Sequence, residues 1–155
     1  MEIRRARVDD LEAAAALWYE RMAMLRESAS WVEFAPDAID RWRVRAKDWI
    51  DNDADNAFFV AEADGRIVGM AVVTTSEGNP GLYPERSGVL MQLAVDLHQP
   101  HSGLSGRLFE AAKSWLRSKG VSNLKVCAPA NYPVEDAFWR AQGATLSARQ
   151  YRLRL

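Results

Sequence analysis

Apolar and polar positions recur along the chain with two different periods, and the switch between them marks the elements. Residues 3–8 read as a short first strand. Asp9 then offers a helix N-cap, with Glu12 three residues on completing a capping box. Leu11, Ala14, Ala15, Trp18, Met22 and Leu25 follow at helical spacing, which predicts a first helix running to about Glu27. Residues 28–36 carry no clear period and read as a loop. A second helix is expected from near Asp37, with Ile39, Trp42, Ala46, Trp49 and Ile50 on one face and Asp51-Asn52-Asp53 at its end.

Strand signals come next. Residues 57–62 are apolar and aromatic, Ala63-Asp64-Gly65 is a hairpin turn, and residues 67–74 resume as the partner strand. A connection containing Gly78, Pro80, Gly81 and Pro84 leads to a strand over residues 88–95. A polar loop then opens into a helix striped by Leu104, Leu108, Ala111, Ala112, Trp115 and Leu116, and Gly120 is placed to stop it. Residues 123–128 read as a strand, residues 133–142 as a shorter helix ended by Gly143, and residues 145–155 as a closing strand. Hairpins among strands two to four give an antiparallel sheet, and the strand–helix–strand unit over residues 88–128 adds a parallel, right-handed crossover. The predicted fold is therefore α/β of the α+β kind: a mixed, mostly antiparallel sheet of about six to seven strands flanked by about four helices. No repeat, low-complexity tract or linker interrupts it, so residues 1–155 read as one domain.

Composition narrows the function. A length of 155 residues suits a single sizeable core, and 48% hydrophobic with 26% charged residues is ordinary globular composition. Lys+Arg total 20 against Asp+Glu 21, so no basic excess marks a nucleic-acid partner. Arg4, Arg5 and Arg7 read as a solvated strand edge. The single cysteine, Cys127, lies in an apolar run and is expected to be a buried, inert thiol. No stretch approaches the roughly 20 apolar residues that span a bilayer, and early charge at Glu2, Arg4 and Arg5 argues against a secretory signal. A cytoplasmic protein without a membrane partner is the expectation.

The turn after the fourth strand carries the most chemistry. A helix N-terminus presents unpaired N–H groups and the positive end of its dipole, which together hold phosphate. Gly103 and Gly106, with Ser102 and Ser105, leave the backbone there accessible, although Gly and Ser also begin ordinary helices. His98 and His101 are spaced to share a metal, but no third or fourth ligand is arranged nearby, so no metal is expected. Neither Gly-x-Ser-x-Gly nor a Gly-Lys-Ser/Thr loop is present, which speaks against a serine hydrolase and a P-loop nucleotidase.

Taken together, the element order, Leu93-Ala94-Val95, Gly103-Leu104-Ser105, the helix ending Lys119-Gly120, and Ala137-Phe138-Trp139-Arg140-Ala141-Gln142-Gly143-Ala144 resemble the GCN5-related N-acetyltransferase (GNAT) superfamily over essentially the whole chain. That resemblance implies a sheet whose fourth and fifth strands splay apart. It implies that backbone amides of His101, Ser102, Gly103, Leu104, Ser105 and Gly106 grip the pyrophosphate of coenzyme A. The strand Leu93-Ala94-Val95 would pair, through Leu93 and Val95, with the pantetheine arm, and Asn131 and Trp139 would also border the cofactor. Three positions depart from the family pattern. Pro100 takes a Gln/Arg slot, Ser105 a Gly/Ala slot, and Trp139 stands where many members carry a tyrosine that protonates the departing thiolate. An indole N–H cannot be that acid.

Tyr132 is the nearest replacement for the missing acid, with helix capping or packing as its plainer reading. Glu33 is a candidate to recognise or deprotonate an amine, or else a solvated carboxylate. Trp31, Glu33 and Phe34 fall in the loop that shapes the acceptor site in the family. Gln92, polar within an apolar strand, is expected to face the cleft, and Tyr83 is a further candidate for acceptor contact. The function implied is transfer of an acetyl group from acetyl-coenzyme A to a primary amine of a small molecule or a peptide or protein, by direct attack in a ternary complex. The alternative is a non-catalytic acyl-coenzyme A sensor or interaction module on the same fold. A homodimer is an expectation at family level.

Overall fold

The computed structural model describes residues 1–99 and 103–155. In chain order the elements are β1 (Glu2–Arg5), a 3-10 turn (Val8–Asp10), α1 (Leu11–Arg26), α2 (Ala38–Asp51), β2 (Asn56–Ala63), β3 (Arg66–Glu77), β4 (Arg86–Val95), α3 (Leu104–Ser118), β5 (Leu124–Lys125) and α4 (Pro133–Ala141). The strands form one sheet in the order β1-β2-β3-β4-β5, antiparallel up to β4 and parallel between β4 and β5. At the β2–β3 hairpin Asp64 and Gly65 both take positive φ, 51° and 72°, which is what a two-residue hairpin turn needs.

Alternation along β2 and β3 sends side chains to two cores. On one face α1 and α2 cover Phe58, Val60, Met70 and Val72 with Trp42, Trp49 and Leu11. On the other, α3 and α4 cover Ala57, Ala61, Val68, Ala71 and Val73 with Leu104, Leu108, Leu116 and Trp139. Gly88 lets α3 sit close: a Cβ there would lie 2.4 Å from a Leu116 methyl.

The structure departs from the pattern-based expectations in four places. The sheet of described residues has five strands, not six to seven. The predicted closing strand is absent: residues 145–155 belong to no strand and are exposed throughout. Alternation supplies a strand's faces but not its partner, and without a ladder no strand forms. For the same reason β5 is reduced to Leu124–Lys125, and Cys127, just past it, is exposed instead of buried. Finally, the first helix is capped differently from the Asp9–Glu12 pattern. Asp10 sits at its N-cap position and its carboxylate accepts the Arg7 N–H at 2.7 Å and two Arg4 guanidinium N–H bonds at 2.8 and 2.9 Å. A 3-10 turn forms where the sequence pattern placed the first helical turn.

Candidate active site

The feature that opens the sheet is one extra residue in β4. Across β3, Val73 pairs with Leu90 while Val72 pairs with Gln92, which leaves Met91 as a bulge. A bulge bends its strand and sharpens the local twist. On the other side β4 meets β5 only at Gly88↔Leu124 and Val89↔Lys125. From Leu90 to Val95, β4 therefore has no described strand along its outer edge, and its outward peptide groups carry no ladder there. Fourth and fifth strands do part, as the resemblance implied. Beyond the bulge Leu93 and Val95 pack toward α3, while Ala94 packs toward α1 and α2. By alternation Gln92 shares the face of Ala94, on the side of the α1–α2 loop.

At the far end of that open stretch, α3 begins. Gly103 takes φ 66° as its N-cap, and the first helical bond is Arg107 N–H to Gly103 C=O at 3.0 Å. The amides of Leu104, Ser105 and Gly106 precede it and have no intrahelical acceptor. No acid sits in the first turn, and among the described residues a Cβ on Gly103 or Gly106 would meet nothing within 4 Å. Backbone donors, a positive dipole end and clear space thus coincide. Leu104 is turned away, buried against Gly69 of the sheet. Of the residues expected to bind the cofactor, His101 and Ser102 lie outside the described residues, as does Pro100. His98 is exposed, and its amide bonds Asp96 Oδ1 at 2.9 Å.

The C-terminal half of α1 meets the start of α4. Arg21 on α1 donates to both oxygens of Glu135 on α4, at 2.9 and 3.0 Å, with both side chains largely buried. Beside this clamp the Tyr132 hydroxyl lies 3.6 Å from Met24 Sδ. Tyr132 is also the N-cap residue of α4, its carbonyl accepting the Glu135 N–H at 3.2 Å. Asn131, exposed and at φ 61°, precedes it. In the α1–α2 loop Trp31 and Glu33 are exposed. Phe34 is half-buried, stacked on Tyr19 at 4.4 Å and edge-on to Trp18 at 6.1 Å, so its ring is part of the packing.

Two expected residues stand apart from this gathering. Trp139 is buried in the α3-side core, edge-on to Phe109 at 5.1 Å and to Phe138 at 4.8 Å, with no hydrogen-bond partner for its indole N–H among the described residues. Tyr83 is exposed in the β3–β4 connection, at the end of β4 opposite Val95. A polar groove of about 850 Å³ lies at that opposite end too, lined by Arg45, Asp48, Thr75, Glu77 and Arg86, away from the strand gap.

Sequence reasoning missed the Met91 bulge and the Arg21–Glu135 clamp. Gln92 hinted at the first, since a polar residue in an apolar strand marks where facing changes. The second joins helices at opposite ends of the chain and leaves no local signal. Among the described residues no group of three His, Cys, Asp or Glu side chains is placed to hold a metal ion. No described helix is long and apolar enough to cross a membrane.

Comparison with known proteins agrees with this geometry. A family model described as the acetyltransferase (GNAT) family matches residues 15–144. No curated protein matches the chain in sequence. A mutant BH1408 protein from Bacillus halodurans has a similar structure, with TM-score 0.87, 19% identity, and coverage of 100% of this chain and 99% of that one. The apo aminoglycoside 6'-N-acetyltransferase AAC(6')-IG from Acinetobacter haemolyticus is similar at TM-score 0.78 and 15% identity, covering 100% and 98%. AAC(6')-Iy in complex with a bisubstrate analogue, CoA-S-monomethyl-acetylneamine, is similar at TM-score 0.76 and 20% identity, covering 99% and 98%.

Proposed function

Since the chain belongs to the acetyltransferase (GNAT) family and is on that ground an acyltransferase, we propose that it transfers the acetyl group of acetyl-coenzyme A to a primary amine carried by a small molecule or a peptide or protein. Residues 1–155 act as one catalytic domain in this reading. The observation that carries it is the half-paired β4: beyond Met91 a stretch of free strand edge leads to the bare amides of α3. A pantetheine chain has amides of its own to complete that edge, at Leu93 and Val95. Its diphosphate suits Gly103, Leu104, Ser105 and Gly106, with His101 and Ser102 in the same turn.

The acetyl carbonyl then lies near the bulge, where the amine enters from the face of Gln92 and the α1–α2 loop. The amine lone pair attacks the thioester carbon, the C–N bond forms and the C–S bond breaks. A thiol pKa near ~8.5 makes the thiolate a tolerable leaving group, so positioning and backbone donors supply much of the rate. Tyr132 is assigned the proton delivered to sulfur, and Glu33, through water, the proton taken from the amine. Trp31, exposed beside Glu33, suits an acceptor with an apolar part. Trp139 supports α3 from beneath, and Asn131 borders the gap.

Two measurements test the proposal. Acetyl-coenzyme A should raise the melting temperature, a gain of about 2.7 kcal/mol when present at 100 times its Kd. Free thiol should appear when an amine panel, amino sugars and peptides included, is added. Stabilisation without thiol release would leave a coenzyme A sensor instead of a transferase, and neither effect would sink the whole reading. Tyr132→Phe keeps the ring against Met24 and removes the proton; kcat should drop by about 100-fold with coenzyme affinity unchanged. An unchanged kcat would reduce Tyr132 to a cap of α4.

A further inference from the structure

Two contacts join α1 to the start of α4, and they run in step. Arg21 and Met24 are three residues apart on α1, so they share a face of that helix. Opposite them stand Glu135 and Tyr132, again three residues apart. In the first contact one Arg21 guanidinium nitrogen donates to both Glu135 oxygens at 2.9 and 3.0 Å, with the side chains 25% and 12% exposed. In the second the Tyr132 hydroxyl lies 3.6 Å from Met24 Sδ.

The two differ in strength, and that decides which one holds the other. A hydrogen bond between charged partners is short and fixed in geometry. A thioether sulfur is a weak acceptor and cannot fix a hydroxyl alone. The rest of the first turn of α4 offers no anchor: Pro133 and Asp136 are exposed, and Val134 is 77% exposed. Asp136 pairs with Arg140 of the same helix, so it ties α4 to no other element. Trp139, the buried residue of α4, lies about two turns beyond Tyr132. Glu135 is therefore the side chain that fixes this turn. Its own N–H bonds the Tyr132 carbonyl at 3.2 Å, which passes the constraint to the tyrosine.

We propose that Arg21 and Glu135 are positioning residues for Tyr132: their ion pair sets where the hydroxyl stands, and Met24 leaves its proton uncommitted. This rests on the acetyl-transfer reading, in which the proton goes to the departing coenzyme A thiolate. As the C–S bond breaks, the sulfur takes the phenolic proton and an S–H bond forms. The tyrosinate left behind regains its proton from water. A hydroxyl bonded to a carboxylate or carbonyl would first have to give that partner up; one resting on a thioether does not.

The test is a double-mutant cycle on the full-length chain, with acetyl-coenzyme A and glucosamine or a lysine peptide as acceptor, whichever releases more thiol. Glu135→Gln keeps the side-chain shape and removes the charge. It should lower kcat about tenfold with KM for acetyl-coenzyme A unchanged, since misplacing a reacting group by about 1 Å can cost up to about 100-fold. Arg21→Lys keeps a charged donor and should retain more of kcat than Arg21→Met. Added to Tyr132→Phe, Glu135→Gln should lower kcat no further, because nothing is left to position. A tenfold loss in both backgrounds would make the pair a strut for α4 and overturn the proposal. So would an unchanged kcat in Glu135→Gln while Tyr132→Phe loses its 100-fold, or a loss of coenzyme A thermal stabilisation along with kcat. Full kcat in Tyr132→Phe instead refutes the assignment of the acid, and no thiol release by the wild type refutes acetyl transfer; either takes this proposal with it. Should Glu135→Gln fail to fold by circular dichroism, Arg21→Lys carries the same cycle.

Discussion

Arg4 stands between Asp10, with its guanidinium 2.8 Å from Oδ2, and Glu62, again at 2.8 Å. Asp10 is only 8% exposed, so this is an ion pair drawn out of water and rescued by its geometry. The Arg4 hydrogen bond comes first among the causes that hold the Asp10 carboxyl below the usual carboxylate range, with the Arg7 N–H adding to it against the cost of burial. A carboxyl depressed on folding adds stability that is fully present above its unfolded pKa and lost as pH falls through its folded one. Stability should therefore decline as pH drops below about 4. Asp10→Asn should lower stability at pH 7 by about 2 kcal/mol and flatten that decline; superimposable denaturation curves for mutant and wild type at pH 7 would refute the assignment. The sequence pattern at Asp9 and Glu12 looked like a capping box, and Asp10 displaced it because its partner Arg4 is fixed by Glu62 on another strand. Local spacing carries no trace of that competition.

Helices were legible wherever the periodic stripe was the whole story. The spans expected for α2, α3 and α4 match those observed to within a residue or two, as does the Asp64-Gly65 turn, because a helix and a tight turn are held by bonds between near neighbours. β5 and residues 145–155 were not legible, because a strand needs a partner that sequence alternation does not name. The contact of α3 with β4 gives a test at this scale. Gly88→Ala places a methyl among the Leu116 side-chain carbons at 2.4–3.1 Å, so α3 must shift or Leu116 must change rotamer. The cost should be about 1–3 kcal/mol in urea denaturation. Gly103→Ala meets no atom of the described residues within 4 Å but keeps φ at 66°, and should cost about 1–2 kcal/mol through backbone strain.

Across the whole molecule the sheet is a partition between two cores. Val60 lies in one, against α1 and α2, and Val121 in the other, with α3. Val60→Ala and Val121→Ala should each cost about 2 kcal/mol, and the double variant should lose the sum to within about 0.5 kcal/mol. A coupling well above that would mean the two faces are packed as one. The element order made the family's architecture readable from sequence, whereas the geometry that opens the sheet was not, because it hangs on a single register shift. Met91 is an odd residue in a structure that counts by twos. Take it out, and Gln92 follows Leu90 directly, opposite the adjacent Val72 and Val73, so the ladder runs on unbroken while Gln92 to Val95 keep their faces and only the bend is lost. The opening of the sheet thus hangs on one surplus residue, and its deletion should straighten β4 while leaving both cores lined as before.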